Sequence, residues 1–173
     1  EDVVTARMVR WNTETVASDM RGVGLMRIGI GNDHAGLDYK VEISRHLKEL
    51  GYDVVDYGTD SPESTDYAIW GEKVANAVAS GEVERGIVIC GTGEGIGISA
   101  NKVRGIRCCI CSEPFSAKLS RQHNDANMLA IGARVVGIEL ANIIVDEWLS
   151  AQFEGGRHQR RIDLIADIER RQA

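Results

Sequence analysis

Gly86-Ile-Val-Ile-Cys90 is a short apolar run, and the Gly91-Thr-Gly-Glu-Gly-Ile-Gly97 that follows is a glycine-rich turn opening into a helical pattern. A strand, a tight turn and a helix in that order form the repeating unit of a parallel α/β sheet. Outward from it, β-rich runs recur at residues 27–31, 53–57, 106–111 and 128–131. Amphipathic helical patterns separate them. The first covers 37–50, with Tyr39, Ile43, Leu47 and Leu50 on one face and Gly51 as its stop. The second carries Tyr67, Trp70, Val74 and Val78, and the third follows the glycine turn to about residue 103. The fourth, 113–122, has Pro114 in its first turn, and the fifth, 138–152, is unusually apolar.

Five strands alternating with helices predict a three-layer Rossmann-like or flavodoxin-like fold, with a parallel sheet covered on both faces. The flavodoxin-like strand order 2-1-3-4-5 makes strands one and three neighbours. A charged helix from about residue 159, with Ile162, Ile165 and Ile168 at a spacing of three, follows the break at Glu154-Gly-Gly156. This extra C-terminal helix has no sheet position left to cover, so it is expected to pack on a partner subunit.

Composition narrows the function. The 173 residues, 43% hydrophobic and 27% charged, suit one ordinary globular domain. A net charge of −6 argues against nonspecific nucleic-acid binding. No run reaches the ~20 apolar residues of a membrane span. Residues 1–25 hold mixed charges and no apolar core of the signal-peptide kind, so they read as a flexible N-terminal extension before a single domain over 26–173. Of four cysteines, three lie in Arg107-Cys-Cys-Ile-Cys111. Strand alternation sends Cys108 and Cys111 to opposite faces, which favours reduced, buried thiols over a redox Cys-x-x-Cys or a metal site, and a cytoplasmic setting.

Two polar clusters stand at strand ends, where open α/β sheets bind ligands: Asn32-Asp-His34 after strand one, and Cys90 with its turn after strand three. The turn aims amides at an anion, and with the helix end behind it stabilises negative charge on a thiolate or a substrate. It matches no nucleotide motif: Ile96 stands where a dinucleotide fingerprint needs its third glycine and where a Cys-x5-Arg phosphatase needs arginine, and no Gly-Lys-Ser/Thr follows. What remains is a loop for an oxyanion or a small phosphate ester. His123 reads either as a polar residue ending the fourth helix or as a functional group. Arg157-His-Gln-Arg-Arg161 puts cations at a helix start, against the macrodipole, which fits either an anion between them or a solvated charge cluster.

Gly31-Asn-Asp-His-Ala-Gly36, Ile89-Cys-Gly-Thr-Gly-Glu-Gly-Ile-Gly97, Ser99-Ala-Asn-Lys-Val103, Ser112-Glu-Pro-Phe-Ser-Ala117, Ser120-Arg-Gln-His-Asn-Asp125 and Gly155-Gly-Arg-His-Gln159, in this order, closely resemble the ribose-5-phosphate isomerase B family, which includes galactose-6-phosphate isomerase subunits. The resemblance runs from Met26 to about Arg171. It implies interconversion of ribose 5-phosphate and ribulose 5-phosphate, a pentose phosphate pathway step, through an enediolate and without metal or organic cofactor.

By the same resemblance Cys90 is the carbon base, His123 opens the sugar ring, and the amides from Gly91 through Gly93 and Glu94 to Gly95, with Thr92, cradle the oxyanion. Asp33 and His34 bind the sugar and assist ring opening, and Asn124 contacts it. Arg134, Arg157 and Arg161 neutralise the phosphate, with His158 a weaker candidate at that end. Some members carry a glutamate base where this chain has Ile96, so the assignment to Cys90 rests on the cysteine subgroup. Glu94 is expected to face solvent. Ala68-Ile-Trp70 stands where relatives often have proline and a polar residue. A hexose or tetrose phosphate is an alternative substrate, and a phosphosugar-binding module an alternative class. His123 before the last strand and Cys90 at the far end of its own predict that a homodimer or tetramer shares each site between subunits.

Overall fold

The computed structural model describes residues 25–172, so the N-terminal extension expected over 1–25 lies outside the described residues but for Leu25. The described residues form five parallel strands and six α-helices. In chain order these are β1 (Arg27–Asn32), a 3₁₀ turn (His34–Gly36), α1 (Leu37–Glu49), β2 (Asp53–Asp56), α2 (Tyr67–Ala79), β3 (Arg85–Cys90) and α3 (Glu94–Ala100). β4 (Cys108–Ile110), α4 (Pro114–Asn124), β5 (Met128–Gly132), α5 (Ile138–Ser150) and α6 (Arg157–Arg171) complete the chain.

Helices cover both faces of the sheet, so its central strands β3 and β5 are apolar but for Arg85 at the start of β3, and every residue of both is buried. Ile28, Ile30, Ile87, Ile89, Leu129 and Ile131 point to one face, against Ile43 and Leu47 of α1 and Ile144 and Trp148 of α5. Val88, Cys90, Met128 and Ala130 point to the other, against Val74 of α2 and Ile96 and Ala100 of α3. The alternation reaches the cysteines as expected: Cys108 joins the second cluster, Cys111 the first, and all four thiols are free. Burial drives the Cys108 thiol far up and that of Cys111 to about 12, so both behave as small apolar groups.

The strand order corrects the expected 2-1-3-4-5: it is β2-β1-β3-β5-β4, with β5 inserted between β3 and β4. Burial explains the exchange. Met128-Leu-Ala-Ile-Gly132 is buried at every position and fits a strand with two neighbours. Only one of the three residues of β4 is fully buried, as suits a short rim. Strands one and three are still neighbours, pairing from Ile28↔Arg85 to Asn32↔Ile89.

One boundary is tighter than the sequence suggests, and the last helix starts two residues earlier, at Arg157. α3 stops at Ala100 because the Asn101 side chain turns away to bond both backbone groups of Cys108, at 2.8 Å each, and Gly105 follows with φ of 83°. α6 packs on α4, off the sheet, and leaves Leu164, Ile165 and Ile168 exposed. Among the described residues no helix is long and apolar enough to cross a membrane.

Candidate active site

Cys90 closes β3 with its side chain 97% buried from solvent at the floor of the glycine turn; its relative exposure is 3%. The amide of Gly93 donates to Cys90 Sγ at 3.1 Å, a bond that a thiolate accepts better than a thiol. Gly93 has φ of 83°, which lets the chain fold back over the sulfur and start α3 at Glu94. The Glu94 amide bonds Thr92 Oγ1 at 3.3 Å, while the amides of Gly95 and Ile96 find no protein acceptor among the described residues. With only seven residues in α3, these free amides matter more than the helix dipole. The Glu94 and Thr92 side chains are exposed, and Ile96 is fully buried in the core, unable to act as a base.

The neighbouring strands bring the other groups to this edge. Asp33 follows Asn32, the partner of Ile89, and its amide bonds the Ile89 carbonyl at 3.1 Å. Asp33 is 5% exposed; its Oδ1 accepts from the Ala35 and Gly36 amides at 2.9 and 3.3 Å, and Oδ2 has no partner among the described residues. His34 Nδ1 accepts from the Thr65 amide at 3.2 Å, which leaves Nε2 as the proton-bearing nitrogen of the neutral ring. Lys40, 2% exposed, braces the β2 end by bonding the Thr59 carbonyl at 2.9 Å and pairing with Asp56 at 2.9 Å and Asp60 at 2.5 Å.

The inserted strand supplies the remaining side. Gly132 lies opposite Cys90 in register, and the amides of Ala133 and Arg134 bond the Cys90 and Gly91 carbonyls at 2.9 Å each. A Cβ on Gly91 would stand 3.3 Å from Arg134 Nη1, so this guanidinium lies across the turn. Arg134, Arg157 and Arg161 are exposed and make no ion pair among the described residues.

His123, Asn124, Arg157 and Arg161 gather elsewhere. Met128 at the start of β5 pairs with Gly86, four residues before Cys90, and α4 ends just ahead of it. Four strand steps of about 3.3 Å separate that edge from the sulfur by roughly 13 Å. His123 and His158 stack with ring centroids 4.2 Å apart and an interplanar angle of 5°. Their Nε2 atoms lie 3.9 and 3.5 Å from Glu154 Oε2. His158 is buried within this stack. Burial first, then the charges of His123, Arg157 and Arg161, hold its imidazole below the ordinary pKa despite Glu154.

Three contributors escape a reading of the sequence. Gly132 faces the Thr92 carbonyl so closely that a Cβ would stand 2.5 Å from it. The Tyr67 ring lies over Gly95, where a Cβ would meet it at 2.7 Å, so Tyr67 roofs the turn as well as belonging to the α2 stripe. Glu154, thirty-one positions from His123, reaches it only through the fold, the Glu154 amide bonding the Gln122 carbonyl at 3.0 Å. Only a glycine adjoining a strand end hints at the first; nothing in the spacing marks the other two.

This geometry has close counterparts. The model of the Ribose/Galactose Isomerase family matches residues 28–165. Ribose-5-phosphate isomerase B of Escherichia coli is 59% identical over 147 residues, 85% of this chain and 99% of that protein. The structure of Clostridium thermocellum ribose-5-phosphate isomerase B superposes with a TM-score of 0.85 at 57% identity, covering 86% of this chain and 100% of that one. Ribose-5-phosphate isomerase B of Mycoplasma genitalium, solved with bound ribulose-5-phosphate, gives 0.81 at 42% identity over 84% and 97% of the two chains. Match, fold and the order of its motifs agree that this chain belongs to the ribose/galactose isomerase family.

Proposed function

We propose that this isomerase interconverts D-ribose 5-phosphate and D-ribulose 5-phosphate, with each active site completed by a second copy of the chain. The observation that carries the reading is the Cys90 thiol, held beneath unpartnered amides, with the Asp33 carboxylate and the Arg134 guanidinium on either side. An aldose–ketose isomerisation needs those parts: a base to carry a proton between C2 and C1, and donors for the enediolate oxygens. Cys90 takes the proton from C2 and returns it to C1. The amides of the turn, with Thr92, hold the oxygens as charge develops, and Asp33 and His34 bind the sugar hydroxyls.

One chain lacks the rest of the machinery at that edge. His123, the ring-opening acid/base, Asn124, and the phosphate-binding Arg157 and Arg161 come from the second copy. The roughly 13 Å between the two edges of one chain supports this. So do the exposed Leu164, Ile165 and Ile168 and the groove of about 860 Å³ beside α6, lined by Ile106, Cys109, Asn124, Ile165 and Ile168. An isologous pair would cover this apolar surface twice.

Turnover of four-, five- and six-carbon aldose phosphates by the wild type and by Cys90→Ala tests the reading. Ribose 5-phosphate should have the highest kcat/KM, solvent deuterium should enter the product, and the variant should lose at least 10²-fold, the lower end of what general-base catalysis contributes. A higher kcat/KM for a hexose or tetrose phosphate would replace the substrate. Near-normal turnover by Cys90→Ala would remove the base.

A further inference from the structure

We propose that His123, Glu154 and His158 form a binding site for a divalent transition-metal ion, of which Zn²⁺ is the type, and that its occupancy reversibly inhibits the enzyme. Their donor atoms lie within 4.8 Å of one another. The Glu154 carboxylate oxygen is 3.9 Å from one imidazole nitrogen and 3.5 Å from the other. Tetrahedral zinc with bonds of about 2.1 Å puts its ligand atoms roughly 3.4 Å apart. Glu154 therefore closes onto the ion by tenths of an ångström, with a side chain half exposed and free to move.

Two imidazoles and one carboxylate are the donor set of an open zinc site with a fourth position for water. The stacked rings aim their in-plane lone pairs in parallel, so one ring must tilt for both to meet the ion. That ring is His123, whose side chain is 35% exposed, since His158 at 7% is fixed by its packing in the first turn of α6. His158 is the ready ligand: its packing holds Nε2 3.5 Å from Glu154 Oε2. Arg157 and Arg161 are the cations opposing a dication there, and they hold the affinity below that of a structural zinc site.

Metal binding stands on this geometry alone, whereas the inhibition rests on the ring-opening role proposed for His123. A ligated imidazole neither gives nor takes the ring proton, so turnover stops until the ion leaves.

Co²⁺ titration of the full chain tests the two parts separately. The expected result is one Co²⁺ per chain, with tetrahedral d–d absorption, no thiolate-to-metal charge-transfer band, and displacement by Zn²⁺. Glu154→Gln, at an exposed position that does not threaten folding, should weaken Co²⁺ at least tenfold. His158→Gln should do the same in protein whose circular dichroism matches the wild type. Zn²⁺ should abolish isomerisation and EDTA restore it. Absence of Co²⁺ uptake, affinity unchanged in Glu154→Gln, or a charge-transfer band lost in Cys90→Ser would overturn the site, the last by assigning the ion to the thiol. Co²⁺ bound as described with turnover unaffected by Zn²⁺ would overturn the inhibition. Failure to isomerise ribose 5-phosphate would overturn the proposed substrate while leaving the cobalt spectrum as the measure of this site.

Discussion

Gly132→Ala changes one hydrogen for a methyl group and should disable the site without touching a group that reacts. The new Cβ would stand 2.5 Å from the Thr92 carbonyl oxygen, 2.6 Å from its carbon and 2.9 Å from its Cα, all backbone atoms that cannot rotate aside. Ordinary contact begins near 3.4 Å, so about 0.9 Å must be found. β5 cannot supply it, because Gly132 is in register with Cys90 and the next two amides bond the Cys90 and Gly91 carbonyls. The Thr92 turn moves instead, stretching the 3.1 Å contact between the Gly93 amide and Cys90 Sγ and lifting the free amides from the enediolate. A misplacement of about 1 Å costs on the order of 10²-fold in rate. Overpacking of this kind costs about 1–3 kcal/mol of stability. At roughly 2–4 °C of Tm per kcal/mol for a domain of this size, thermal unfolding will register it. Steady-state kinetics should show kcat down about 10²-fold and KM within a few-fold, because two of the three phosphate arginines, Arg157 and Arg161, lie elsewhere. Gly137→Ala, whose Cβ would meet nothing within 4 Å, serves as the control and should match the wild type. A folded Gly132→Ala protein with kcat within about threefold of the wild type would refute the claim that close approach of strand and turn sets the oxyanion geometry.

Mixing inactive Cys90→Ala and His123→Ala chains under demonstrated subunit exchange should restore about a quarter of wild-type activity, since random pairing makes half the dimers mixed and each holds one intact site of two; no recovery would place both residues in one chain's site. Arg157→Ala and Arg161→Ala should each raise KM about tenfold or more, the worth of a charge-assisted contact of about 1.5–3 kcal/mol, and weaken competition by inorganic phosphate; unchanged KM in both would leave the cluster a solvated helix start. Lys40→Met should lower Tm at neutral pH and flatten its alkaline decline. Burial alone would lower the Lys40 pKa, but hydrogen bonds and charges of Asp60 and Asp56 outweigh it and raise it above 10.5, so the stability it adds is complete below 10.5 and is lost as pH climbs through the higher folded value. A wild-type and variant pair with parallel Tm profiles from pH 8 to 12 would count against that account.

The repeating pattern of the sequence carries most of the architecture. Period-two alternation alone puts Cys108 and Cys111 on opposite faces, and the glycine turn after Cys90 marks the site because a strand end followed by positive φ is a local event. Strand order is not local. Residues 106–111 and 128–131 both read as short apolar runs, and only their burial in three dimensions separates the rim from the interior. The same limit hides Gly132, whose need for a missing Cβ depends on which strand lies beside β3. It hides Glu154 as well, which meets His123 across a loop and a helix end. Side chains fixed by their own neighbours in sequence are legible; those defined by a distant approach are not.

The insertion of β5 bears on how the chain is made. Synthesis proceeds from the amino terminus, so β1, β2, β3 and the residues of β4 are all complete before Met128–Gly132 has been added. Until then one flank of β3, apolar but for Arg85, has no ladder partner, and β4, which pairs with β5 alone, has none at all. A nascent chain at that stage offers a bare hydrophobic edge to any other strand it meets, the hazard that completed sheets keep to short, protected rims. Translation stalled short of residue 132 therefore leaves a gap in the middle of the sheet rather than a ragged border.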